Sequence, residues 1–147
     1  MYIAFNWKPP KFAHLPLLIN PDGTKLSKRQ SDAFVDHYIQ AGYLPEALIN
    51  FIAYLGWTPA TGSTEIFGLD ELSDLFDIGR LNSSDATVNF EKLKWINRQH
   101  LISNCGEPAK MDEYVAKLRG LVANEADFTN EYLVKVIKLM MVKKKQE

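Results

Sequence analysis

The sequence has 147 residues, 46% of them hydrophobic, which is enough to bury a core and excludes a wholly disordered chain. Its net charge of -1 is unevenly distributed, because residues 1–30 carry five cations and one acid whereas the rest carries twelve cations and seventeen acids. A basic N-terminal segment on an otherwise acidic chain favours a local contact with phosphate or nucleic acid over a wholly basic binding surface.

The first thirty residues are predicted to be extended chain that leads into a turn and a basic loop. Residues 1–6 carry no charged side chain and suit the end of a helix, which two consecutive prolines then stop. The apolar run 12–20 suits a buried strand of a parallel sheet. Asn20-Pro21-Asp22-Gly23 predicts a tight turn, and the basic loop (residues 24–30) follows it. We expect this region to be the weakest of the chain, because a lone strand has unpaired edges.

From residue 31 onward the sequence predicts helices joined by short loops. Gly42 suits the end of a helix, and Pro45 and Pro108 suit first turns. The polar stretch 82–89 is predicted to be a loop. The predicted helices cover residues 31–41 with Ser31 or Asp32 as cap, 46–55, 69–76, 90–101 with Asn89 as cap, 109–122, and 130–143 with Thr129 as cap.

Aromatic and histidine side chains are predicted to be structural. Trp57 and Trp95 are expected to anchor a core or an interface, and His14 is expected to pack within the apolar run. On the helix 90–101, four side chains are candidates for the inner side, although we expect the histidine to be partly exposed; they are Leu93, Trp95, Ile96 and His100.

Three further expectations concern sites and location. The single cysteine, Cys105, excludes an internal disulfide and favours a reducing compartment. No cysteine or second histidine stands at ligand spacing, so no protein-bound metal is predicted. No apolar run approaches the ~20 residues that a membrane span needs, so no membrane contact is expected.

The basic loop has the side chains that a polyphosphate contact needs. Lys25 and Lys28 supply compact charges, Arg29 a planar fork of donors, and Ser27 a hydroxyl or backbone N–H. The loop is not a P-loop, because no Gly-x-x-x-x-Gly-Lys-Ser/Thr is present. Taken alone, this pentapeptide is more typical of a solvated cationic surface.

The flanking sequence makes the pentapeptide more specific. Lys25-Leu26-Ser27-Lys28-Arg29 resembles the Lys-Met-Ser-Lys-Ser signature of class I aminoacyl-tRNA synthetases, in the form typical of glutamyl-tRNA synthetases. Similar stretches cover residues 5–17, the turn before the loop, and residues 41–57 and 90–97. The resemblance is strongest over residues 5–57 and fades after about residue 105.

The resemblance implies an activity and its participants. Such enzymes activate glutamate with ATP, which arrives with Mg²⁺, and transfer it from the adenylate to the 3′ end of tRNA(Glu). It implies that Lys28 steadies the triphosphate as pyrophosphate leaves and that Lys25 also serves catalysis. Lys25, Ser27, Lys28 and Arg29 would together hold the ATP phosphates. A monomer is expected, and Gln30 resembles mitochondrial members, which favours the mitochondrial matrix over the alternative, a bacterial cytoplasm.

The resemblance also implies a mainly α fold in three parts. Residues 1–30 would end a Rossmann-type catalytic domain with a short strand and the signature loop. Residues 31–105 would form a helical stem-contact domain, and residues 106–147 would begin a helical anticodon-binding domain. The other class I signature, His-Ile-Gly-His, is absent and expected upstream of Met1, so the isolated chain is predicted not to charge tRNA.

Two alternatives remain at this point. One is a helical RNA-binding module that uses the basic loop without catalysis. The other is the shorter relative that glutamylates a modified tRNA base. The intact pentapeptide and the helices after Pro108 count against this second alternative.

Overall fold

The computed structural model describes residues 1–27, 34–60, 65–121 and 128–142, and the fold is mainly helical, as predicted. The predicted cap at Ser31 or Asp32 lies outside these ranges, and the first helix begins after the extended Phe34. The described helices are α1 (Val35–Gln40), α2 (Pro45–Tyr54), α3 (Leu69–Leu75), α4 (Phe90–Asn104), α5 (Pro108–Leu121) and α6 (Asn130–Val142).

The main core forms where α2 packs on α4. Helix α4 begins where the sequence predicts, because Asn89 Oδ1 accepts hydrogen bonds from the backbone N–H groups of Glu91 (3.0 Å) and Lys92 (3.2 Å). Helix α2 has no side-chain cap of its own, and Asn97 of α4 serves instead by accepting from Leu44 N at 2.8 Å. The first cluster, as we name this core, is built on Ala47, Phe51, Val88, Leu93 and Ile96.

A smaller cluster closes the end of α2 against α3. Trp57, Phe67 and Leu72 are buried there, which confirms Trp57 as a core residue. Gly56 lets the chain before the basic loop come close, because a Cβ at this position would lie 3.0 Å from Pro16 Cγ. The N-terminal segment therefore lies close to the C-terminal end of α2 at this point.

The strand region differs from the prediction in length and in partners. Strand β1 (Leu18–Ile19) spans two residues of the apolar run and is not buried. It pairs in parallel with β2 (Ala86–Thr87), which lies in the stretch predicted to be a loop. The expectation of a lone strand is therefore wrong. Phe12, Leu15 and Leu17 before it are exposed. His14 is exposed as well, so its predicted packing is also wrong.

The last two described helices pair on a separate apolar cluster. The second cluster, as we name it, consists of Met111 and Val115 of α5 with Leu133 and Ile137 of α6. At the start of α6, Thr129 Oγ1 accepts from Tyr132 N at 3.3 Å. None of the helices in the described ranges combines the length and apolar character needed to cross a bilayer.

Candidate functional site

The basic loop starts as the second arm of a short hairpin on β1. Asn20 N donates to Thr24 O at 2.7 Å, and Leu26 N donates to Leu18 O at 3.0 Å. Ile19 and Lys25 lie opposite each other between these two bonds as an antiparallel bridge. The backbone at Lys25 is thus set by hydrogen bonds on both sides of it.

The predicted turn is stabilised by side chains as well as backbone. Gly23 has φ +83°, a left-handed conformation that favours glycine, and its N–H donates to Asn20 O at 2.9 Å. Asp22 Oδ1 accepts from Thr24 N at 2.9 Å and from Thr24 Oγ1 at 2.6 Å. The Thr24 hydroxyl and N–H donate to the carboxylate, and these bonds lower the pKa of Asp22. The turn fixes the entry to the loop.

The opposite edge of β1 connects this hairpin to the main core. Ala86 N donates to Leu17 O at 2.8 Å, and Val88 N donates to Ile19 O at 2.9 Å. Val88 is buried in the first cluster, and α4 begins two residues later. The start of the basic loop and the start of α4 are therefore held by one three-stranded arrangement.

The described part of the loop exposes its polar side chains and buries part of its apolar one. Lys25 and Ser27 are exposed, as a contact with phosphate requires. Leu26 between them is partly buried and packs against the first cluster. Lys28 and Arg29, the other two predicted phosphate-contacting residues, lie outside the described residues.

Buried polar side chains between α2 and α4 form a network that sequence reasoning missed. Asn50 is completely buried; its Oδ1 accepts from Phe67 N at 3.0 Å and lies 3.1 Å from His100 Nε2. Its Nδ2 donates to Glu65 O at 3.2 Å. Since the amide oxygen can only accept, His100 must carry its proton on Nε2. The network joins α2, α4 and the segment before α3.

His100 is more buried than expected, at 7% exposure. Burial lowers the pKa of its imidazole; the carboxylate of Glu46 acts in the opposite direction, and Lys110 lowers it further. Burial disfavours the charged ring, and the network itself requires only that Nε2 carries a proton. In the described ranges, no group of three or more histidine, cysteine, aspartate or glutamate residues is arranged to hold a metal ion.

Trp95 lies on the outer side of α4, so its expected place on the inner side is wrong. Its side chain is 40% exposed, and Lys92 Nζ lies 4.3 Å from its ring centroid. The same ammonium forms an ion pair with Glu65. The attraction between a cation and an exposed indole is worth about 0.5–1 kcal/mol. This arrangement therefore orders a surface side chain and does not contribute to the core.

Comparison with known families gives one match that covers most of the chain. Residues 1–95 match the family described as "tRNA synthetases class I (E and Q), catalytic domain". The chain belongs to this family. The matched region of this class I synthetase sequence includes the hairpin, the basic loop and the start of α4. The match continues past residue 30, and the predicted division at that point stays a prediction.

Two relatives of this synthetase sequence are named as glutamate–tRNA ligases. The chain is 50% identical over 115 residues to a protein named "Glutamate--tRNA ligase, mitochondrial" from Schizosaccharomyces pombe, covering 78% of this chain and 22% of that protein. It is 41% identical over 147 residues to the glutamate–tRNA ligase of Chlorobaculum parvum, covering 95% of this chain and 29% of that protein. The chain thus spans less than a third of the length of these curated relatives.

Solved structures agree with the sequence matches. The glutamate–tRNA synthetase of Elizabethkingia anophelis superimposes with a TM-score of 0.76 at 35% identity, covering 95% of this chain and 31% of that one. That coverage exceeds residues 1–95, so the similarity extends beyond the region that the family model matches and into α5 and α6. The fold of the whole described chain is therefore that of a portion of a glutamate–tRNA synthetase.

Proposed function

We propose that this chain supplies the second signature loop, the stem-contact helices and the first anticodon-domain helices of a glutamate–tRNA ligase. The observation that carries the proposal is the hairpin that presents Lys25 at the start of Lys25-Leu26-Ser27-Lys28-Arg29, inside the region matched by the synthetase family. The names of the two relatives support glutamate and tRNA as substrates. ATP and tRNA(Glu) enter the proposal through the resemblance of the pentapeptide to the synthetase signature. The protein acts as a monomer in this proposal.

The proposed chemistry assigns separate tasks to the loop residues. ATP binds with Mg²⁺, which neutralises phosphate charge as part of the substrate. The carboxylate of glutamate attacks the α-phosphorus, and pyrophosphate leaves with its electron pair. Lys28 stabilises the charge that develops on the phosphates, where one well-placed donor contributes about 3–4 kcal/mol. Lys25, Ser27 and Arg29 hold the phosphates in place.

The proposed compartment is the mitochondrial matrix. The S. pombe relative named as mitochondrial, at 50% identity, supports this location. The Chlorobaculum parvum relative, at 41% identity, supports the alternative of a bacterial cytoplasm. Imaging of the tagged protein in cells that contain its gene separates the two.

A hybrid ligase tests the activity. The chain replaces the matching stretch of the Chlorobaculum parvum enzyme, and ATP–pyrophosphate exchange is measured with glutamate and tRNA present. We expect exchange, and we expect Lys28→Ala to lower its rate by about 10²–10³-fold. Lys138→Ala, an exposed lysine of α6, is the matched control and should leave the rate unchanged. A hybrid with full activity after Lys28→Ala would refute the role of the loop.

The isolated chain gives a second test. We expect it not to attach labelled glutamate to tRNA, because the residues that bind adenosine and glutamate are not among its motifs. Attachment of glutamate by the isolated 147-residue chain would contradict the proposal.

A further inference from the structure

We propose that Leu26 is a positioning residue: its side chain packs into the first cluster and thereby fixes where Lys25 and the rest of the basic loop begin. The inference rests on the proposed function of the loop. Leu26 is the one apolar residue of the pentapeptide. Its proposed role involves no contact with phosphate, and it acts through the two residues beside it.

Burial around Leu26 alternates in the way an anchor requires. Lys25 and Ser27 are exposed, whereas Leu26 is partly buried against the first cluster. Neighbouring residues of an extended chain point to opposite sides. A leucine directed into the core therefore directs both polar neighbours outward, and a shift of one residue in the register would bury a lysine.

Leu26 is held in place by two separate interactions, one made by its backbone and one by its side chain. Its N–H donates to Leu18 O at 3.0 Å on one edge of β1. Val88, on the β2 side of that strand, is 4% exposed in the same cluster that Leu26 contacts. Two apolar side chains from either side of β1 thus join one core. The hairpin alone has one β-bridge, which is too short to be stable without such packing.

The chain after the loop returns to the same cluster. Tyr38 of α1 packs against the first cluster, and Tyr38 and Tyr43 make an edge-to-face contact with ring centroids 5.6 Å apart. Residues 27–37 therefore connect two anchor points on one core. Leu26 is the anchor nearer to Lys25, and we expect it to control the position of that lysine more directly than Tyr38 does.

Variants of the full 147-residue chain test the anchor without relying on activity. Leu26→Ala is compared with Leu26→Met, which conserves volume, and with Leu48→Ala, a partly buried leucine of α2 on the same cluster. Nuclear Overhauser contacts between Ile19 and Lys25 and amide protection of Leu26 are measured, with urea unfolding for stability. Leu26→Ala should remove the contacts and lower protection by about tenfold or more. Leu48→Ala should lower stability yet keep the contacts.

The outcomes separate positioning from general core damage. Contacts that persist in Leu26→Ala, or that disappear equally in Leu48→Ala, overturn the proposal. Ile19–Lys25 contacts that are retained in Leu26→Met support it. If Leu26→Ala does not fold, the comparison of Leu26→Met with wild type decides, because the proposal requires the Ile19–Lys25 contacts to remain with any side chain that fills the site.

The hybrid ligase links the anchor to catalysis. In it, Leu26→Ala should lower kcat for pyrophosphate exchange by about tenfold with little change in KM for glutamate, and Leu26→Met should restore kcat. An unchanged kcat in Leu26→Ala overturns the positioning role while the proposed function stands. An unchanged rate in Lys28→Ala refutes the function of the loop. The Ile19–Lys25 contacts then test the positioning role of Leu26 separately.

Discussion

The first and second clusters are both formed by packed helices, but they differ in what accompanies the apolar contacts. In the first region the buried Asn50 joins α2 to α4, the two helices that form the first cluster. The cluster also receives Val88, which follows β2, and Leu26 from the basic loop. The second joins only α5, α6 and adjoining residues. Buried, satisfied polar groups favour one arrangement over near alternatives, whereas apolar contacts alone tolerate repacking. In the second region the buried Asn104 bonds to Tyr114 and Lys110, which are only partly buried. Asn50 bonds to Phe67 and His100, which are both buried, so the region that holds the basic loop is the more precisely specified.

The largest expected effect comes from removing one buried leucine from each cluster. Leu93 is 0% exposed in the first cluster, and Leu133 is 5% exposed in the second. Each change to alanine should cost about 2–5 kcal/mol. Hydrogen exchange should show protection lost across α2 and α4 in Leu93→Ala, and across α5 and α6 in Leu133→Ala.

The control for this pair is Leu139→Ala on α6, where the side chain is 67% exposed. Its stability should stay within about 0.5 kcal/mol of wild type. If Leu133→Ala also removes protection from α2, the two clusters unfold as one unit and the comparison fails.

The two regions also differ in how well the sequence predicted them. Helices are local, so spacing and caps such as Asn89 and Thr129 located them closely. Strand β2 was missed because Ala86 and Thr87 form no apolar run, and their pairing with β1 depends on contacts far along the chain. Trp95 was misplaced although Leu93, Ile96 and His100 already defined the inner face of α4. Trp95 is two residues from Leu93, which places it on the opposite side of a helix.

For the candidate site, the residues could be predicted from the sequence, whereas the backbone and core contacts that position them required the structure. The pentapeptide and the turn at Gly23 were evident from residue types alone. That the loop starts on a hairpin, and that Leu26 reaches the first cluster, required the fold. The Asn50 network had no sequence signal, because a single asparagine in a helix is ordinarily exposed. The roles of Lys25, Ser27, Lys28 and Arg29 stay predictions.

A second prediction compares the buried asparagines of the two regions. Asn50→Ala leaves the N–H of the buried Phe67 without its acceptor, which should cost about 1–3 kcal/mol. Asn104, 8% exposed at the end of α4, receives a hydrogen bond from Lys110 Nζ and donates one to Tyr114 OH, each 3.0 Å long. Those partners reach water, so Asn104→Ala should cost less. Urea unfolding of both variants measures the difference, and equal costs would argue against a special role for the Asn50 network.

A third, smaller effect concerns the connection between the regions. Arg98 of α4 donates through Nη2 to Met141 O in the last turn of α6, at 2.6 Å. A cation at this end also complements the helix dipole. Arg98→Ala should cost about 1 kcal/mol and lower amide protection mainly in α6. Lys135→Ala, an exposed change on the same helix, should leave that protection intact. Equal loss of protection in α2 would show that Arg98 supports more than the connection.

The smallest expected effect is on pH dependence, and it centres on His100 of the first region. Burial lowers the pKa of His100 in the folded chain, so the unfolded chain binds a proton more readily near its ordinary pKa of about 6.5. The contribution to stability is complete above that pH and is lost as the pH falls towards the lower folded pKa. Glu46 opposes this shift, and Lys110 adds to it. Urea unfolding between about pH 7.5 and about pH 5.5 should show a decline that His100→Gln reduces, since the amide donates to Asn50 without titrating. If stability declines equally in the variant, the decline belongs to the carboxylates and not to His100.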